Sequence, residues 1–176
     1  MRSVARGRMK NRFDRWDRDG LGGLRREDFE REARHIAAAF GADPEAPEAV
    51  RLREALRGLF DLCADQAGVS PDAAISEVQF LKVSEDLIFE QGEAAFNRAL
   101  RPVAAGVIGV CDRDGDGRID RAEFVRWLTA LGLDDARADE AFEHVAGGTA
   151  TLGLDELLAA IRDYHYGRLD VELIAG

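Results

Sequence analysis

The sequence predicts an all-α protein of about eight helices, and three observations carry that expectation. Apolar residues recur three and four apart along most of the chain, the spacing that gathers them on one face of a helix. Runs of β-branched residues are few, so strands have little material. The breaks between apolar stripes are short and rich in Gly, Pro and Asp, residues that end helices and make turns.

Taken in order, Met9, Phe13 and Trp16 share the face of a first helix, and Phe29, Ala33, Ile36 and Phe40 that of a second. The stretch GADPEAP then breaks the pattern. Leu52, Leu56, Leu59 and Cys63 form a third stripe, and Phe80, Val83 and Leu87 a fourth that ends near Gly92. The fifth runs through Phe96, Leu100, Val103, Val107 and Cys111, with Pro102 placed early enough to kink the helix rather than abolish it. Three more follow: Phe124, Leu128 and Leu131; Ala138, Phe142 and Val145; Leu154, Leu157, Leu158 and Ile161. Stripes at this spacing are core rather than the lining of a cofactor pocket. After Gly167 the residues RLDVELIAG alternate apolar and polar, which predicts an extended tail laid into a groove by Leu169, Val171, Leu173 and Ile174.

Composition narrows the function classes. At 176 residues, 46% apolar and 33% charged, the chain can bury a full core and is not of disordered composition. Its 34 acids against 24 bases give a net charge of −10, which repels phosphate backbones and favours cations, so no nucleic-acid partner is expected. The basic stretch MRSVARGRMKNR has no apolar run of a signal peptide and reads as a helix with a solvated face, and no segment approaches 18 apolar residues. A cytoplasmic protein without a membrane span, and a monomer, is expected. Cys63 and Cys111 lack any CxxC or Cys/His ligand spacing and are assigned to the core. The histidines His35, His144 and His165 are scattered, with no nucleophile elbow or zinc-protease motif, so no enzymatic activity is expected.

One joint between helices carries the chemistry. CDRDGDGRIDRAEF, Cys111 to Phe124, holds five carboxylates between two amphipathic stripes. Counted from Asp112, positions 1, 3 and 5 are Asp112, Asp114 and Asp116, position 7 is Arg118, position 9 is Asp120 and position 12 is Glu123. This is the ligand pattern of the EF-hand, a helix-loop-helix calcium site. Calcium wants about six to eight oxygens at roughly 2.3–2.6 Å, so a loop must wrap it with closely spaced carboxylates. Gly117 permits the sharp turn, Arg118 offers its backbone carbonyl while its side chain leaves toward solvent, and Asp120 acts through a water or orders the loop. Glu123 supplies two oxygens, and Ile119 points into the core.

The pairing of an apolar residue at position 8 with another at position 13 recurs as Leu24 and Phe29, Ile75 and Phe80, Ile119 and Phe124, Leu152 and Leu157. Four hands in two pairs follow, each pair joined by a short two-stranded contact at position 8. The expected division is an N-terminal pair over 1–91, a C-terminal pair over 92–167 and a tail over 168–176. The first loop, Asp17 to Asp28, keeps Asp17, Asp19, the Gly22 turn, the carbonyl of Gly23 and Asp28. Its position 5 is Leu21, which has no oxygen, and its position 9 is Arg25, which adds a cation. Asp28 is one methylene shorter than glutamate, so its shell is closer to that of Mg²⁺, a competitor for Ca²⁺ there. The second loop, Gly68 to Gln79, and the fourth, Val145 to Glu156, lack the acids at positions 1 and 3 and are expected not to bind.

The stretches RFDRWDRDG, LIFEQGEAAFNRAL and DYHYGRLDVEL resemble the calerythrin family, bacterial relatives of the sarcoplasmic calcium-binding proteins, over nearly the whole chain. The resemblance implies a compact four-hand molecule whose second hand does not bind, with a role in calcium buffering or transport. It implies calcium ligands at Asp17, Asp19 and Asp28, and at Asp112, Asp114, Asp116, Asp120 and Glu123. The chain departs from the family pattern at Leu21 and at AGGTAT in the fourth loop. An intracellular calcium buffer is the expected function. The alternatives are a sensor that exposes a groove to a protein target when calcium turns its helices, and a structural protein clamped by the ion.

Overall fold

The computed structural model describes residues 2–173. Eight α-helices are present: α1 (Arg2–Trp16), α2 (Arg26–Ala39), α3 (Pro47–Ala67), α4 (Glu77–Glu85), α5 (Glu93–Cys111), α6 (Arg121–Ala130), α7 (Asp135–Ala146) and α8 (Leu154–His165). A π-helical turn, Asp86–Glu90, extends α4 to the Gly92 break. Local chemistry sets many of the ends. Pro47 opens α3, and Gly68 closes it at φ 69°. Ser76 and Gln79 cap each other at the start of α4, and the Asp134 side chain accepts from the Arg137 amide at 2.9 Å to start α7. Pro102 sits inside α5, which runs on through it.

Between the helices lie four two-residue strands, β1 (Gly23–Leu24), β2 (Ile75–Ser76), β3 (Ile119–Asp120) and β4 (Thr151–Leu152). They form two antiparallel ladders, with Leu24 opposite Ile75 and Ile119 opposite Leu152. The four position-8 residues are thus paired as their spacing predicts, and all four are buried. Phe13 packs on Phe80 and Phe29 on Trp16 and Phe60, while Phe124 packs on Trp127 and Phe142.

Helices α3 and α5 pack extensively on each other. A Cβ on Gly106 would stand 3.0 Å from the Leu52 Cα and 3.1 Å from its Cδ1, so this glycine lets the helices approach closely. Cys63 and Cys111 are free and buried, and burial raises both thiols, Cys63 to about 12, which makes them inert packing groups. Past α8 the tail turns back over the body. Leu173 is buried and Leu169 and Val171 pack on the core, while the Arg8 guanidinium donates to the carbonyls of Tyr164 and Leu169. Ile174, also expected in that groove, lies outside the described residues.

Candidate metal centre

Loop 3, between α5 and α6, is built by backbone amides folding onto carboxylates. Asp112 Oδ1 accepts from Gly115 at 2.9 Å and Asp116 at 3.2 Å, and its Oδ2 accepts from Gly117 at 2.8 Å. That turn holds Gly115 and Gly117 at φ 73° and 76°, where a Cβ is strained. Asp114 accepts from the Asp116 amide at 3.2 Å, and Asp116 from the Arg118 amide at 2.8 Å. At the far end Glu123 is buried, its Oε1 accepting from the Arg113 amide at 2.7 Å and its Oε2 from the Asp120 amide at 2.9 Å. Asp120 returns the contact, accepting from the Glu123 amide at 2.9 Å and capping α6.

These bonds gather the acids into two overlapping trios. One oxygen each from Asp112, Asp114 and Asp116 lie within 4.8 Å of one another, and so do oxygens of Asp114, Asp120 and Glu123. Two oxygens bound to one Ca²⁺ at about 2.4 Å are at most about 4.8 Å apart, so the trios fit a hard dication in size and in donor type. Like charges this close also resist ionisation. The Asp116 amide draws the Asp114 carboxyl down, but its contact with Asp112 and repulsion from Asp116 and Glu123 outweigh that, and its pKa is raised.

Loop 1 repeats the turn and not the closure. Asp17 Oδ2 accepts from Gly22 at 2.9 Å, as Asp112 does from Gly117, and Asp19 accepts from Leu21 at 3.1 Å, which with its contact to Asp17 lowers its pKa. Leu21 is 81% exposed and offers nothing. Asp28 takes the Arg25 amide at 2.7 Å with one oxygen and the Arg31 guanidinium at 2.6 Å with the other. Arg31 also donates to the Trp16 carbonyl at 2.8 Å, so it bridges the two helices of the hand. Among the described residues, no trio of carboxylates gathers here. Asp17 nevertheless keeps a buried Oδ1 with no hydrogen-bond partner among the described residues. Sequence reasoning overlooked the hold on Asp28, although Arg31 lies three residues on, the spacing at which helical side chains meet.

Two arginines reach across the ladders, and one of them goes where the sequence did not send it. Arg118 does not leave toward solvent: its Nε donates to Thr151 Oγ1 at 2.7 Å and its Nη2 to the Thr151 carbonyl at 3.2 Å, across the ladder in loop 4. Arg25 adds its positive charge beside Asp19, as expected, while its Nη1 lies 3.5 Å from the Asp72 carbonyl of loop 2. The antiparallel ladders explain both, because residues beside β1 and β3 face the partner loop. Loops 2 and 4 hold no carboxylate trio among the described residues.

No family model matches the chain. Calerythrin of Saccharopolyspora erythraea is 56% identical over 173 residues, covering 98% of both chains. The chain belongs to the calerythrin family. A second relative of this calerythrin-family chain, the luciferin-binding protein of Renilla reniformis, is 30% identical over 91% of this chain and 85% of its own length. Among solved structures, a Streptomyces coelicolor calcium-binding protein described for prokaryotic calcium-mediated regulation superposes with a TM-score of 0.77, at 27% identity, over 92% of this chain and 98% of its own. No helix among the described residues is long and apolar enough to cross a membrane.

Proposed function

We propose that this calerythrin-family protein is an intracellular calcium buffer or transport protein, without enzymatic activity, whose secure site is loop 3. Asp112, Asp114 and Asp116 supply side-chain oxygens, Arg118 its carbonyl, Asp120 orders the loop or holds a bridging water, and Glu123 closes the shell. The observation that carries this reading is the pair of trios sharing Asp114, with oxygens within 4.8 Å. Loop 1 is a weaker second site through Asp17, Asp19 and the Gly23 carbonyl. Its partnerless Asp17 Oδ1 favours a cation, while Arg31 withholds Asp28 and opens the site to competition from Mg²⁺.

Buffering is favoured over sensing by the tail. Leu173 is buried and walls a cavity of about 70 Å³ with Arg12, Trp16, Trp127 and His165, so the tail covers apolar side chains that a target helix would need. The sensor reading rests on the Streptomyces coelicolor relative, described for calcium-mediated regulation. A calorimetric calcium titration of chelator-stripped protein in magnesium tests the proposal. One tight ion, with a second weak and magnesium-sensitive, is expected; no bound ion would overturn it. Apolar-dye fluorescence separates the roles, since a large calcium-induced rise means an opened groove and a sensor.

A further inference from the structure

The fourth loop is legible as a failed calcium site, but its remaining ligands are in use. In the ladder Ile119 faces Leu152 and Asp120 faces Thr151, which sets Arg118 opposite Gly153. The Arg118 guanidinium lies in loop 4, on Thr151 Oγ1 at 2.7 Å, the Thr151 carbonyl at 3.2 Å and Glu156 Oε1 at 3.7 Å. Thr151 is position 7 of that loop and Glu156 is position 12. These are the carbonyl and carboxylate that an ion would take in a working hand.

Gly153 completes the fit. A Cβ there would stand 2.8 Å from Arg118 Nη1 and 2.7 Å from Glu156 Oε2, so the missing side chain is the space the guanidinium uses. At the matching position 9, loop 3 carries Asp120. Positions 1, 3 and 5 of loop 4 are Val145, Gly147 and Thr149. The Thr149 hydroxyl, the Thr151 carbonyl and the Glu156 carboxylate are too few for a dication that must shed water, whereas the two Thr151 oxygens and Glu156 suit a singly charged, weakly hydrated, permanently protonated fork of donors.

We propose that loop 4 is a cation site whose resident cation is the Arg118 guanidinium, and that this makes Arg118 a positioning residue for calcium in loop 3. The inference rests on the reading of loop 3 as the calcium site. Arg118 has one end in each loop: its carbonyl is position 7 of loop 3, and its side chain fills the ion's place in loop 4. Loop 4 is held in the shape of a filled hand with no ion, and the loop 3 carbonyl is aimed before calcium arrives. The guanidinium and Glu156 are each about half exposed, so the coupling is modest, about three- to tenfold in affinity.

The test uses the full chain with Arg118→Lys, which keeps the charge and the carbonyl but cannot fork across Thr151 and Glu156, and Gly153→Ala, whose φ of −86° accepts a Cβ while crowding the guanidinium. Each is expected to lower loop 3 calcium affinity about three- to tenfold. Each should also speed hydrogen exchange at the Thr151 and Gly153 amides in calcium-free protein while leaving the α1–α2 hand unchanged. Glu156→Gln, which reaches loop 3 through the Arg118 guanidinium, should do the same, and adding it to Arg118→Lys should cost little more. Unchanged or tighter calcium binding in these variants, with unchanged loop 4 exchange, overturns the inference. A wild-type chain that takes up no calcium at loop 3 overturns the parent reading instead, and calcium-free exchange at loop 4 still reports whether the guanidinium holds that loop.

Discussion

Loops 1 and 3 open with the same letters, Asp-Arg-Asp-Gly, and close on different carboxylates, Asp28 and Glu123. Their openings are superimposable in chemistry: the position-6 glycine amide donates to the first aspartate at 2.9 Å in loop 1 and 2.8 Å in loop 3. Their closures are not. Glu123 accepts only backbone amides from its own loop, whereas Asp28 is claimed by the Arg31 guanidinium at 2.6 Å. The turn is therefore set locally by glycine and one aspartate in both loops, while position 12 is held by a guanidinium in loop 1 and by the loop's own amides in loop 3.

The sharpest way to break this contrast is Glu123→Gln. An ion that binds only the folded chain stabilises it by about 4 kcal/mol at a thousandfold excess over its dissociation constant. Thermal melts of wild type should show that gain on adding calcium to stripped protein, and melts of Glu123→Gln should lose most of it. Retention of the gain would misassign the ligand. The converse experiment repairs loop 1. Leu21→Asp with Arg31→Met supplies the missing oxygen and frees Asp28, and is expected to tighten the second calorimetric site at least about tenfold; no change would mean that the Asp28 side chain is too short to close the shell.

Two smaller effects test the body that holds the loops. His165 is buried against the Phe96 and Tyr164 rings, and burial, with help from Arg12, lowers its pKa to about 3. Between that value and the ordinary 6.5 the unfolded chain binds a proton that the folded chain does not. Stability should therefore fall as the pH drops below about 6.5, by up to about 1.4 kcal/mol per unit from this group. A His165→Phe variant should show a flatter acid limb in denaturant titrations. Gly106→Ala gains helix propensity but presses on the Leu52 backbone, and the overpacking should win, for a net loss of about 1 kcal/mol in urea melts.

Much of the fold was legible because its signals are periodic. Leu24, Ile75, Ile119 and Leu152 repeat in register with Phe29, Phe80, Phe124 and Leu157, and both ladders form at those residues. The carboxylate cluster of loop 3 was legible because its acids lie close in sequence, and the fold brings their oxygens within 4.8 Å. What was misread or missed has one physical cause, that arginine is long. Arg118 leaves its own loop for a partner loop brought near only by the ladder, and which helix end Arg31 bridges depends on α1 lying beside Asp28. The tail was half legible: its alternation pointed to Leu173 in the groove, but the Arg8 clamp on the Leu169 carbonyl joins chain ends that no local pattern connects.

The central claim is that loop 3 holds the ion and loop 1 follows. It is tested most directly by following the Gly117 and Gly22 amides in a calcium titration by nuclear magnetic resonance, since each donates to the first aspartate of its loop and reports an ion polarising that bond. The account predicts that Gly117 shifts and saturates first, Gly22 moves only at higher calcium, and the loop 4 amides shift slightly, in step with Gly117 alone. Gly22 saturating before Gly117, or loop 4 titrating with an ion of its own, would contradict it.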